Sequence, residues 1–318
     1  MQRFRALFIA LIVGIALVVC FTLVACSTNE KSAHTDSGEI FVVDALGDTV
    51  RFTTAPRRIV SLAPNLTELI FALGAGDRLA GVTEFCDYPP EAKQIPHVSG
   101  FSIVNLEALV AKDPDLIIAN RGNQPQDLAT LRRMGYPVFA FRVDSLGMLL
   151  DAARTLGTIL DLGVSADSII ENWRMRIAAV ESSVRKQTQT RPRPRVFFGG
   201  IQEPVYTVGS TGYIRDVLFK AGGSNVFDDL PAAWPRIDLE TLVARDPEIM
   251  VIGFHNGLTN RDETIRHLRG MPGWRTLRAV QTGRVYTVGD EIMRPGPRLI
   301  DVLETLHRAL YEDAELPI

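Results

Sequence analysis

Apolar and polar positions along this 318-residue chain fall into three regimes. Arg3 and Arg5 precede an apolar run from Ala6 to Ala25, and the stretch 27–38 is polar. Beyond it, short β-rich apolar runs alternate with segments of helical periodicity, a pattern that predicts a mostly parallel sheet covered by helices. A hairpin-like pair (40–43 and 49–52) opens this part. Strand-like runs follow at 59–62, 79–83, 116–119 and 138–141, and again at 196–198, 205–208, 249–252 and 285–288.

Between these two sets, 145–161 reads as one helix and 165–186 as a longer one after the break at Gly163. Ile169, Trp173, Ile177, Val180 and Val184 form a single apolar stripe along the longer helix. At ~1.5 Å per residue it reaches roughly 33 Å, long enough to run along two small lobes. The segment 188–194, rich in Arg and Pro, then releases the chain. A helical strap of this kind predicts only small hinge motion.

The two halves are related. Val104-Asn-Leu-Glu-Ala-Leu-Val-Ala-Lys-Asp-Pro-Asp-Leu-Ile-Ile-Ala-Asn120 recurs as Ile237-Asp-Leu-Glu-Thr-Leu-Val-Ala-Arg-Asp-Pro-Glu-Ile-Met-Val-Ile-Gly253. Each copy offers a capping Asn or Asp, a leucine-spaced helix, an Asp-Pro stop and a buried strand. At the same offset Phe101 matches Trp234, so an aromatic precedes the helix in both halves. The expected fold is α/β: two Rossmann-like lobes with mostly parallel sheets, joined by a long backbone helix, with a ligand cleft between the lobes.

The N-terminal run is a secretory signal by its basic start, apolar core and small-residue end. Leu23-Val24-Ala25-Cys26 resembles the bacterial lipobox, in which Cys26 receives the lipid; the other reading is an uncleaved transmembrane anchor. Either way the body is expected outside the cytoplasm at a membrane surface. The expected organisation is 1–25 signal peptide, 26–38 lipid-anchored tether, 39–144 N-terminal lobe, 145–188 connecting helices and 189–318 C-terminal lobe. Of three cysteines, Cys20 lies in the signal and Cys26 is consumed, which leaves Cys86 and no internal disulfide. A 46% hydrophobic chain of this length has ample material for a core. The net charge of −3 gives no footprint for nucleic acid or an anionic membrane.

Open α/β sheets hold ligands outside the carboxyl ends of their strands. The loops there carry Phe85 and Tyr88, Phe101 and Trp234, and Tyr206. Any one of these suits a core edge, whereas the symmetric pair Phe101 and Trp234 would put rings on opposite walls of a cleft and grip a large flat ligand. Asp290 and Arg294 read either as ligand contacts or as a surface ion pair of little worth. Glu107 and Glu240, in equivalent first turns, either favour the helix dipole or dock on basic sites of a two-fold partner. The five histidines have no metal-ligand spacing. His255 is the one placed as an axial ligand to a bound metal, against the plainer reading of a loop histidine. Cys86 either faces the cleft or is a buried inert thiol. Gly209-Ser-Thr-Gly212 lacks the ending of a P-loop, and no Gly-x-Ser-x-Gly elbow occurs.

Five stretches are more specific: Arg58-Ile-Val-Ser-Leu-Ala-Pro-Asn-Leu-Thr-Glu-Leu, Cys86-Asp-Tyr-Pro-Pro-Glu-Ala, Val98-Ser-Gly-Phe-Ser-Ile-Val-Asn-Leu-Glu, Trp234-Pro-Arg, and Arg294-Pro-Gly-Pro-Arg. With these the chain, from about Arg58 to Leu310, resembles the helical-backbone ABC substrate-binding proteins for metal chelates, and among them the periplasmic cobalamin-binding proteins. The resemblance implies that Phe85, Phe101, Tyr206 and Trp234 line a corrinoid pocket, and that Asp290 and Arg294 contact corrin side chains. It implies that Glu107 and Glu240 engage arginines on an ABC permease dimer with its ATPase subunits. It further implies a monomer without a resident cofactor, cobalamin being the cargo. Three positions depart from the pattern: Phe85 stands for a tyrosine, and Phe101 and Asn120 stand for tryptophans. A siderophore or haem carrier of the same fold, an exported α/β enzyme acting on a chelate, and a lipid-anchored sensor are the competing readings.

Overall fold

The computed structural model describes residues 39–100, 104–254 and 260–312, with Phe254 and Asp290 described in their backbone alone. Cys26, Phe101 and His255 therefore lie outside the described residues. The chain enters through an antiparallel hairpin of β1 (Ile40–Val43) and β2 (Thr49–Phe52), with Val42 opposite Val50. Alternation decides its placement: Val50 and Phe52 are buried while Phe41 and Val43 face outward.

Lobe one is built from β3 (Ile59–Ser61), α1 (Pro64–Ala72), β4 (Leu79–Thr83), β5 (His97–Ser99), α2 (Leu106–Val110), β6 (Leu116–Asn120), α3 (Pro125–Arg133) and β7 (Val138–Phe141). Its five strands are all parallel, in the order β5-β4-β3-β6-β7. The strand at 97–99 has no apolar run to announce it and was not expected.

Two helices cross to the second lobe, α4 (Leu146–Ile159) and α5 (Gly163–Gln187). Ser145 starts α4 by accepting a hydrogen bond from the Met148 amide at 3.1 Å. The 25 residues of α5 span about 37 Å. Its buried stripe is Ala166, Ile170, Trp173, Ile177, Val180 and Val184. Spacings alternating between four and three place all six on one face. Ile169, expected in that stripe, is only partly buried, because Ile170 holds the inward position.

Lobe two comprises β8 (Arg195–Gly200), β9 (Val205–Tyr206), α6 (Tyr213–Lys220), β10 (Ser224–Asn225), β11 (Arg236–Ile237), α7 (Leu239–Arg245), β12 (Ile249–Phe254), α8 (Arg261–Gly270), α9 (Arg278–Thr282), β13 (Val285–Thr287) and α10 (Leu299–Glu312). A parallel sheet runs β10-β8-β12-β13. The run expected as a strand over 205–208 contributes only two residues, which pair with β11 in a separate antiparallel ribbon.

The duplication extends to backbone detail. Asn105 and Asp238 cap α2 and α7 by accepting from Ala108 N at 3.0 Å and Thr241 N at 2.6 Å. Asp113 and Asp246, at the two Asp-Pro stops, both take left-handed backbone with φ of 47° and 37°. The strands that follow, β6 and β12, are inner strands of their sheets, each with a parallel neighbour on both sides. One continuous core, which includes Leu66 and Phe139 in lobe one, Trp173 on α5, and Phe198 and Leu303 in lobe two, joins the lobes through the helical strap. Polar clasps add to it: Arg176 on α5 bonds Glu304 on α10 at 2.7 Å, and Lys220 bonds Glu181 at 2.8 Å.

Candidate ligand-binding cleft

Each sheet reverses its winding once. In lobe one the chain leaves β3 for β4 and β5 on one side and returns for β6 and β7 on the other. The crevice therefore opens outside the carboxyl ends of β3 and β6, where such folds take ligands. A cavity of about 350 Å³ lies there. Its walls include Asn65, Phe85, Asn120 and Asn123 from lobe one, and Met293 and Arg294 from lobe two. In lobe two the reversal falls between β8 and β12. A second cavity of about 390 Å³ sits beyond β8, walled by Glu203, Tyr206, Trp234 and, again, Met293. Met293 lines both cavities, so the two lie side by side, one against each lobe.

Local structure sets the rings in it. Cys86 is 2% exposed, and its Sγ lies 3.2 Å from the hydroxyls of Thr67 and Thr83. That anchorage, with Thr83 Oγ1 accepting from the Phe85 amide at 3.3 Å, leaves Phe85 as the residue that turns outward, 40% exposed. On the far wall, Arg236 pairs with Tyr206 across the antiparallel ribbon. Trp234, two residues earlier, packs on Phe198 with ring centroids 6.4 Å apart. Cys86 is thus the buried thiol of the two readings given for it.

The segment 293–298 carries lobe two across to lobe one. Gly296 approaches α1 so closely that a β-carbon there would meet Asn65 Cα at 3.2 Å. Asn65 donates from Nδ2 to the Pro295 carbonyl at 3.1 Å. Arg294 forms an ion pair with Asp87, and its guanidinium lies 3.8 Å from Glu68. Arg298 bonds Glu68 through two nitrogens and lies 4.5 Å above the Tyr88 ring. The hydrogen bond from Arg294 holds the Asp87 carboxyl below the usual carboxylate range, outweighing the opposing effect of burial.

Of the residues singled out from sequence, Phe85, Tyr206, Trp234 and Arg294 line the two adjacent cavities. Arg294 stands there already engaged by carboxylates of lobe one. Asp290 opens a short 3-10 turn, Asp290–Met293, at the edge of the cleft. Glu107 and Glu240 are exposed in the first turns of α2 and α7, with no ion-pair partner among the described residues. Sequence reasoning passed over Met293, Asn65 and Asn123. Asn65 and Asn123 had a usable signal, since both lie just past the carboxyl ends of parallel strands. Among the described residues no group of three or more His, Cys, Asp and Glu could hold a metal ion, and no helix is long and apolar enough to cross a membrane.

Comparison with known proteins agrees with this architecture. The vitamin B12-binding protein of Vibrio cholerae is 29% identical over 250 residues, covering 78% of this chain and 86% of that protein. The counterpart in Pectobacterium carotovorum is 29% identical over 247 residues, covering 77% and 85%. Among solved structures, the periplasmic vitamin B12 binding protein of Vibrio cholerae superposes with a TM-score of 0.66 at 28% identity, over 80% of this chain and 96% of that one. A periplasmic haem-binding protein from Pseudomonas aeruginosa gives 0.72 at 27% identity, over 83% and 95%. The family model described as "Periplasmic binding protein" matches residues 59–292, and with a cleft at the switch points of two strapped α/β lobes the chain belongs to the periplasmic binding protein family.

Proposed function

We propose that this chain is the extracytoplasmic solute-binding lipoprotein of an ABC importer, which captures cobalamin or a related corrinoid and hands it to the permease. The observation that carries the proposal is that Met293 lines both cavities, with Phe85 on one wall and Tyr206 and Trp234 on the other. Each cavity alone has the size of an ordinary small-molecule site; side by side, they admit a ligand larger than either. Aromatic faces on both walls suit a broad, largely apolar macrocycle. The names of the relatives, matched over more than three quarters of the chain, support the same ligand.

In this reading Phe101 and Asp290 complete the ligand-binding set with Phe85, Tyr206, Trp234 and Arg294. Exposed Glu107 and Glu240, one per lobe, dock on the permease dimer, whose ATPase subunits supply the energy. Binding involves no covalent change, so the protein acts as a monomeric carrier and not as an enzyme. Residues 1–25 act as the signal, Cys26 carries the lipid and 26–38 form the tether. The lobes take 39–144 and 189–318, with 145–188 between them.

Calorimetric titration with cyanocobalamin tests the ligand. A saturable heat at micromolar concentration is expected, and the absence of both heat and spectral change removes corrinoids. A haem carrier is the second reading, favoured by the TM-score of 0.72 to the haem-binding structure.

A further inference from the structure

Three asparagines of lobe one form a relay whose direction is fixed at both ends. Asn123 Oδ1 accepts from the Asn120 amide at 2.7 Å, and its Nδ2 donates to the Leu62 carbonyl at 3.1 Å. Asn65, 3% exposed, donates from Nδ2 to the Pro295 carbonyl and accepts at Oδ1 from Asn120 Nδ2 at 2.8 Å. The carbonyls of Leu62 and Pro295 can only accept, so neither amide can turn over without setting oxygen against oxygen. Asn120 then donates one of its two amide hydrogens to Asn65. Its Oδ1 is the group left over, with no hydrogen-bond partner among the described residues, on a residue that lines the lobe-one cavity.

The charged groups beside it tell the same way. Arg294 and Arg298 are the cations carried by the crossing segment 293–298, and the carboxylates of Asp87 and Glu68 already engage them. On the side of the crossing segment the cavity therefore presents an uncharged acceptor next to two paired arginines, while Arg121, exposed beside Asn120, lines the neighbouring pocket. A ligand N–H donor placed there gains a hydrogen bond, whereas an ionised carboxylate meets another acceptor and no uncommitted cation among those two arginines.

We infer that Asn120 is a specificity-determining residue that reads a primary amide on the rim of the ligand and disfavours a carboxylate in the same place. The substrate class is then an amide-bearing macrocycle, as a corrinoid is, in preference to a carboxylate-bearing one, as haem is. The inference deepens the corrinoid reading and rests on it.

The test compares cyanocobalamin with the set of its monocarboxylic acids, each made by hydrolysing one side-chain amide, and with haem, by calorimetry at neutral pH. With the native protein, at least one monoacid is expected to bind about tenfold or more weakly than cyanocobalamin. In Asn120→Ala, which keeps the aromatic walls, that gap is expected to close. Monoacids that all bind native protein as tightly as cyanocobalamin overturn the inference and leave the corrinoid reading standing. A gap that persists unchanged in folded Asn120→Ala removes Asn120 as the reader. Native protein that binds haem and ignores cyanocobalamin overturns both. The native-protein comparison holds whether or not the variant folds.

Discussion

Arg298 grips Glu68 in a two-bond fork, with nitrogens 3.1 and 2.6 Å from the carboxylate oxygens, between residues 230 positions apart and on different lobes. The Glu68 side chain is 2% exposed and that of Arg298 22%. Removal of one partner from a buried pair leaves an uncompensated charge and costs about 3–5 kcal/mol, whereas an apolar replacement of both is often neutral. Glu68→Ala is therefore expected to lower stability by about 3 kcal/mol, read as a fall in the urea midpoint. The double variant Glu68→Leu with Arg298→Met should recover most of that loss. A double variant as unstable as the single one would assign the effect to packing of α1.

Trp234 is the best candidate for an anchor in the cleft, because it is held against Phe198 while a face remains in the lobe-two cavity. Rigid aromatics of this kind dominate binding energy. Trp234→Ala should weaken cyanocobalamin binding by about 2 kcal/mol or more, measured by calorimetry on a variant whose melting temperature is retained. Unchanged affinity would remove Trp234 from the site.

The equivalence of Glu107 and Glu240 makes a separable prediction. Both are exposed on the outer turns of duplicated helices and neither lines the two cavities. Glu107→Arg with Glu240→Arg is expected to leave ligand affinity intact and to abolish uptake in cells that depend on this carrier. Lost affinity in the folded variant contradicts a docking role.

The Asp87–Arg294 pair gives a pH window. Asp87 titrates below the ordinary carboxylate value because Arg294 hydrogen-bonds its charged form. A carboxyl depressed by folding contributes its stability in full above its unfolded pKa of about 3.9 and loses it as pH falls through the lower folded value. The stability difference between the native protein and Asp87→Asn should then be constant from about pH 5 to 8 and narrow below about pH 4. Chemical denaturation at a series of pH values measures it. A difference that narrows between pH 7 and pH 5 assigns the coupling to another group.

What the sequence disclosed follows from range. Helix caps at Asn105 and Asp238, the Asp-Pro stops and the apolar strand runs are local signals, and each was legible because a few neighbouring residues determine it. The repeat revealed two lobes before any contact was known, since one motif occurring twice must fold twice. Strands β5, β10 and β11 were missed because their apolar content is low; they pair on account of the strands beside them. The cleft was half legible. Aromatics in loops after strands pointed to it, but the place of Met293 in both cavities depends on a loop of lobe two reaching lobe one. Arg294 was read as a ligand contact or a surface pair; that Asp87, 207 positions away, would engage it is invisible to spacing.

The strap has a mechanical consequence that scattering can reach. Large closure about a hinge needs a few residues free to change backbone angles. Here the connection between lobes is α4 and α5, whose buried faces belong to the core that continues into both lobes. Asn65 bonded to Pro295 and Glu68 bonded to Arg298 add fixed contacts at the other side of the same interface. To open the cleft widely, the protein would have to break a buried ion pair and expose part of a continuous apolar core, at a cost of several kcal/mol. Ligand binding in the micromolar range supplies about 8 kcal/mol in total, most of it already committed to holding the ligand. Small-angle scattering profiles with and without cyanocobalamin should therefore superimpose, and hydrogen exchange along α5 should stay equally protected. A marked fall in radius of gyration on binding would mean that the strap bends.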